Sequence, residues 1–171
     1  GGDLFVEKKA GKLANLRAAI ADRTPHAAIG IAHTRWATHG RPNDLNAHPH
    51  QDCTGDITVI HNGIIENFRE LRDGLEARGH RLTSETDTEA LAHLVEEAYK
   101  GDLAEAVRAT LRQVEGAYAI AVMHRGEGDR GMGSAPQSLL EIIVTIEQHF
   151  ARQEFPPLLF VELAMQHFLG K

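Results

Sequence analysis

Apolar and polar positions along this chain follow two periods, one of strands and one of helices. From Ala27 to Ala37 the run AAIGIAHTRWA is apolar and turns polar at its end, the pattern of a buried strand delivering side chains to a site. Arg41-Pro42-Asn43-Asp44 marks a turn. The stretch ITVIHNGII at 57–65 is rich in β-branched residues and predicts a second strand, broken by Asn62-Gly63, a pair that readily adopts positive φ. Beyond it the period lengthens. Over 66–78, Phe68, Leu71 and Leu75 recur at helical spacing, and Gly79 follows as a C-terminal cap. In SETDTEALAHLVEEAY, Thr86 or Asp87 can cap a helix over 88–100 whose Leu91, Leu94, Val95 and Ala98 share a face. Asp102 opens a third helix reaching Val114 and closed by Gly116. AYAIAVMH at 117–124 is a strand apolar enough for burial on both faces. The opening LFVEKK also reads as strand-like.

After Arg125 the pattern breaks. GEGDRGMGS holds four glycines among nine residues and predicts a linker, and the two apolar halves beyond it are separated by Pro156-Pro157. The chain therefore divides into a unit at 1–125 and a linker with an unassigned apolar tail at 126–171. None of the apolar runs reaches the roughly 20 residues that span a bilayer, and GGDLFVEKK carries no secretory h-region, so no membrane partner is expected and the cytoplasm is the expected compartment. A single cysteine, Cys53, excludes an internal disulfide. Lys and Arg are outnumbered 18 to 24 and form no basic stripe, which argues against a nucleic-acid partner.

Chemistry concentrates in HTRWATHG (33–40), HNGIIEN (61–67) and SETDTE (84–89), with NAHPH (46–50) between the first two. Each has a plain reading when taken alone. Trp36 can be core and Arg35 a surface charge, Asn62-Gly63 a hairpin turn, and Asp87 a helix N-cap. The histidines at 33, 39, 48, 50 and 61 are of a type that binds zinc, but no pair has the helical i, i+4 spacing and no cysteine or carboxylate joins them at ligand spacing, so neither a metal nor a cofactor is expected there.

In this order, the four blocks resemble the class II glutamine amidotransferase domain, most closely the glutaminase half of the glutamine-fructose-6-phosphate aminotransferase (glucosamine-6-phosphate synthase) branch. The resemblance covers about residues 3–124, including KKAGKLANL near the start. It implies an α+β fold of the N-terminal nucleophile hydrolase kind, two antiparallel sheets stacked between layers of helices. It also implies glutamine hydrolysis by an N-terminal cysteine whose own amino group is the base. The ammonia would pass to a sugar-phosphate isomerase domain, normally on the same chain, to form glucosamine 6-phosphate from fructose 6-phosphate; a homo-oligomer is compatible with it.

By that resemblance, Arg35 takes the substrate α-carboxylate, its planar fork matching the two oxygens as a lysine would not. Trp36, Thr38 and His39 complete the wall around it, Asp87 takes the α-ammonium, and His48 joins the pocket. Asn62 and Gly63 form the oxyanion hole, one by its side-chain amide and the other by its backbone N–H. The family's opening Cys-Gly-Ile-Val-Gly strand and its Arg-Gly-Tyr-Asp segment have no counterpart in this sequence, and Cys53 has no free α-amino group. The chain is accordingly expected to be a fragment that lacks the nucleophile strand and does not hydrolyse glutamine by itself. Two alternatives stand beside this reading: a glutamine-binding module or subunit without catalysis, and the glutaminase domain of an amidophosphoribosyltransferase. TRW followed by ATHG and SETDTE favours the hexosamine branch over the latter.

Overall fold

The computed structural model describes residues 4–23, 30–35 and 40–126. Trp36, Thr38, His39 and the tail beyond Gly126 lie outside the described residues.

The framework is a three-stranded antiparallel sheet in the order β1-β2-β3, made of His50–Gln51, Ile57–Ile65 and Gly116–His124. β2 forms because six of its nine residues are β-branched, and Ile57, Thr58, Val59, His61 and Ile65 along it are buried. Its whole length pairs with β3, from Ile57 opposite His124 to Ile65 opposite Gly116. β1 covers it only where His50 and Gln51 face Val59 and Thr58. The connection between β1 and β2 is closed by Asp52, whose Oδ1 accepts the Ile57 N–H at 2.9 Å and whose own N–H reaches the Ile57 carbonyl at 3.2 Å. Cys53 follows on that connection and is exposed.

Helices α1 (Leu13–Ile20), α2 (Phe68–Ala77), α3 (Asp87–Ala98) and α4 (Leu103–Leu111) complete the described elements, an α+β arrangement. α3 is the central helix: Leu91, Leu94 and Val95 join Ile57, Val59 and Ile65 of β2, Leu75 of α2 and Ala106 and Val107 of α4 in one core. Burying such side chains is worth roughly 1.5–3 kcal/mol each. Asp102 caps α4, its carboxylate accepting the Glu105 N–H at 2.9 Å. α2 ends on Gly79 at φ +97, with the Gly79 N–H on the Glu76 carbonyl and the His80 N–H on the Leu75 carbonyl, both at 3.0 Å. This left-handed cap seats Leu75 in the core and turns His80 back towards α3.

Glu89, in the first turn of α3, holds the preceding loop. Its carboxylate accepts from the Thr83 N–H at 2.8 Å, the Thr83 hydroxyl at 2.9 Å and the Ser84 N–H at 2.6 Å. Burial alone would push this carboxyl up, and the Thr83 and Ser84 donors more than reverse that, holding it below its ordinary value. Glu89→Ala leaves a buried backbone donor at Ser84 without its acceptor, an expected loss of about 1–3 kcal/mol, seen as a lower urea midpoint at unchanged slope.

Several expectations need correction. Asn62-Gly63 does not interrupt the strand; β2 runs through it because Gly63, at φ +124, fits inside the ladder opposite Tyr118. Residues 30–35 and the opening LFVEKK carry no strand, since an apolar run becomes one only where a neighbouring backbone pairs with it. β3 is buried only at Ile120, Ala121 and Val122, and Gly116 begins that strand at φ +132 instead of closing a helix. The second and third predicted helices stop short of their predicted ends at 100 and 114, at Ala98 and Leu111. α1 has no counterpart among the predicted elements; none of its residues is buried, so it leaves no core stripe to read.

Candidate functional site

Beyond Val59 the β1 side of β2 has no paired strand among the described residues, and the start of α3 meets it there. Asp87 Oδ2 accepts the Ile65 N–H at 3.1 Å, while Oδ1 lies 3.8 Å from His61 Nδ1. The Glu66 N–H goes to Glu115 on the β3 side. Since amide directions alternate along an antiparallel strand, Gly63 sends its N–H to the same side as Ile65, away from β3. A backbone donor, a carboxylate and the end of β2 therefore share one edge.

Asn62 is exposed, and its Oδ1 is 2.7 Å from His33 Nε2. With the ring N–H donating to that oxygen, the two amide hydrogens of Asn62 are turned outward as donors. The His33 ring packs on His48, with centroids 4.4 Å apart, and His48 lies 5.2 Å from His50 and 6.5 Å from His61. The Thr88 hydroxyl links His48 Nε2 at 2.9 Å to His61 Nδ1 at 3.1 Å, and the Thr86 hydroxyl holds His50 Nε2 at 2.9 Å. Thr86 is thus the residue before α3, but its side chain serves the histidines and makes no helix cap. Arg35 is half-buried and senses the Asp87 charge: burial lowers its pKa, and Asp87 pulls it back up.

Four imidazoles and a guanidinium this close cannot all be charged. Burial, then His33, His50, His61 and Arg35, push His48 far below its ordinary value. Burial takes His50 down to about 3, with Lys8 adding to the fall and Glu89 opposing it. His33 is also lowered by burial, against the Asn62 hydrogen bond. These rings are held neutral in the fold yet protonate near pH 6.5 when the chain unfolds. The unfolded state then binds more protons, so stability is complete above pH 6.5 and is lost as pH falls below it. The unfolding free energy measured from pH 7.5 down to pH 5 should fall by up to ~1.4 kcal/mol per pH unit for each of His48 and His50, before the carboxylates begin to titrate.

The sequence reading is thus distributed as follows. Asn62, Gly63 and Asp87 lie together at the end of β2, Arg35 is within electrostatic range of Asp87, and His48 sits in the layer behind them. His33, His61 and Thr88 are absent from the predicted site residues, although each sits inside a block that supplies some; they orient the others. Cys53 is elsewhere, with its Sγ against His80 and His93, and burial pushes its thiol up. Along that edge lie the Asn62 amide, the Gly63 N–H and the Asp87 carboxylate, and the charge of Asp87 acts on Arg35.

A family model described as a glutamine amidotransferase domain matches residues 33–132. The glutamine–fructose-6-phosphate aminotransferase (isomerizing) of Thermotoga maritima is 55% identical over 130 residues, covering 75% of this chain and 22% of that protein. A protein of the same name from Thermus thermophilus is 59% identical over 121 residues, covering 71% of this chain and 20% of the other; that of Aquifex aeolicus is 46% identical over 158 residues, covering 92% and 27%. The chain thus spans about a fifth to a quarter of the length of these relatives. Among solved structures, glutamine phosphoribosylpyrophosphate amidotransferase from B. subtilis, complexed with ADP and GMP, is similar over 54% of this chain and 20% of that one, at 28% identity and a TM-score of 0.46.

Proposed function

This chain belongs to the glutamine amidotransferase domain family, and from that membership we propose that it forms the glutamine-binding and oxyanion-stabilising part of a class II amidotransferase. In this reading Arg35 grips the substrate α-carboxylate, Asp87 Oδ1 receives the α-ammonium, and Trp36, Thr38, His39 and His48 wall the pocket. The side-chain amide reaches the reacting carbon near Asn62 and Gly63, whose N–H groups stabilise the tetrahedral oxygen. An N-terminal cysteine supplies the nucleophile, in an N-terminal nucleophile sandwich of which the described sheet is one layer. The ammonia goes to a sugar-phosphate isomerase domain that converts fructose 6-phosphate to glucosamine 6-phosphate, in keeping with the name shared by the relatives.

The observation that carries the reading is the shared edge of β2: the Gly63 N–H points to the side where Asp87 already holds the Ile65 N–H, and the charge of Asp87 acts on Arg35. Asp87 also secures the strand, so its removal mixes binding with stability. Arg35 gives the cleaner test. Calorimetric titration with glutamine should show Arg35→Ala binding about 10–100-fold more weakly, the worth of a charge-assisted contact. Equal affinity for the variant and the parent chain would remove Arg35 from the site.

A further inference from the structure

A second cluster of reactive side chains lies away from the β2 edge and takes no part in glutamine chemistry. Cys53 comes from the β1–β2 connection, His80 from the turn after α2, and His93 and Glu96 from adjacent turns of α3. Cys53 Sγ is 3.4 Å from His80 Nδ1 and 3.5 Å from His93 Nδ1. Glu96 Oε2 is 3.2 Å from His93 Nδ1 and 3.4 Å from His80 Nδ1, and all four donor atoms lie within 4.8 Å of one another. A tetrahedral zinc ion with ordinary Zn–S and Zn–N lengths has donor-to-donor edges of roughly 3.3–3.6 Å. These four separations fall at or close to that range.

The hydrogen bonding around the cluster points the same way. His80 Nε2 donates to Glu97 Oε1 at 3.1 Å, and Glu97 is itself held by the Arg78 guanidinium at 2.6 and 3.0 Å. With the proton on Nε2, the Nδ1 lone pair of His80 faces a thiol and a carboxylate oxygen. That is the carboxylate–histidine arrangement that fixes a ring as a metal ligand. His93 is 2% exposed, and its polar contacts are all on the Nδ1 edge facing the cluster. A thiolate and a carboxylate would also balance the two charges of a divalent ion, and the sulfur, nitrogen and oxygen set suits zinc over magnesium or calcium.

We propose that Cys53, His80, His93 and Glu96 form a tetrahedral site for zinc or a similar borderline-soft divalent cation, clamping the β1–β2 connection and the α2–α3 turn onto α3. The site is structural: all four ligand positions are filled by protein, and it is separate from Asn62 and Gly63 in the chain and in the fold. Its existence does not depend on the glutamine reading.

The test uses the full chain, stripped of metal by a chelator and titrated with Co2+ under reducing conditions. A single equivalent should give the intense visible bands of tetrahedral Co2+ with a thiolate-to-metal charge-transfer band, and Zn2+ should displace it. Cys53→Ser, at an exposed position, should abolish the charge-transfer band. Glu97→Ala, which removes the partner that His80 shares with Arg78 and leaves all four ligands in place, should weaken binding about 10–100-fold. In the unmutated chain, Zn2+ should slow alkylation of Cys53. A weak octahedral spectrum indifferent to Cys53→Ser, or an alkylation rate that Zn2+ leaves unchanged, would overturn the site and leave only a hydrogen-bonded ion-pair cluster.

Discussion

Gly63→Ala is expected to destabilise the fold by about 2–5 kcal/mol, read as a fall in the urea midpoint. Two effects add. Gly63 sits at φ +124, where an L side chain is strained, and a Cβ there would lie 2.7 Å from Tyr118 Cα, 3.0 Å from Tyr118 Cβ and against the Ala117 carbonyl. These neighbours belong to β3, and two of the three are backbone atoms, so relief requires the β2–β3 ladder to part near its end. Gly79 is the internal control: its φ is +97 but nothing lies within 4 Å of a built Cβ, so Gly79→Ala should cost only about 1 kcal/mol. Equal costs at the two positions would mean that close approach to β3 is not why glycine stands at 63.

Asn62→Ala carries the largest expected effect on chemistry. Supplied with the N-terminal cysteine that the proposed mechanism calls for, the variant should hydrolyse glutamine about 10²–10³-fold more slowly, with a much smaller change in glutamine affinity. The separation follows from geometry. Asn62 is exposed and its oxygen is held by His33, so the amide hydrogens are fixed towards solvent, where a tetrahedral oxygen would gain most from them. Folding stability should change little, by about 0.5 kcal/mol or less, because no core contact is lost. A rate within tenfold of the parent would place the oxyanion elsewhere.

Much of this is legible in the sequence, for reasons particular to each element. β2 is readable because its branched residues sit at both ends of ITVIHNGII, and the strand occupies those bounds, running through Asn62-Gly63. α2 and its cap are readable because Leu75 and Gly79 carry out local rules that involve only neighbouring backbone. The path of 30–35 is not, since whether an apolar run pairs depends on strands distant in the chain. The blocks around Arg35, Asn62 and Asp87 are identified by their joint resemblance to a known family, since each has a plain reading alone, and their separation in sequence hides the histidine layer behind them. Nothing in the primary structure aligns His33, His48 and His61 with Thr88; β2 and the first turn of α3 bring them together. The Cys53 cluster escapes the sequence for the same reason. Of its four members only His93 and Glu96 are near neighbours, at an i, i+3 helical spacing, while Cys53 and His80 come from separate loops.

Titrating the isotope-labelled chain with glutamine and following amide resonances is the most direct test of the proposed site. The Asn62 side-chain amide and the Gly63 and Ile65 N–H groups should shift together along one binding curve, with the signals of Cys53, His80 and His93 unmoved. Glutamine that left Asn62, Gly63 and Ile65 in place, or that moved a different surface instead, would contradict a substrate pocket at the edge of β2.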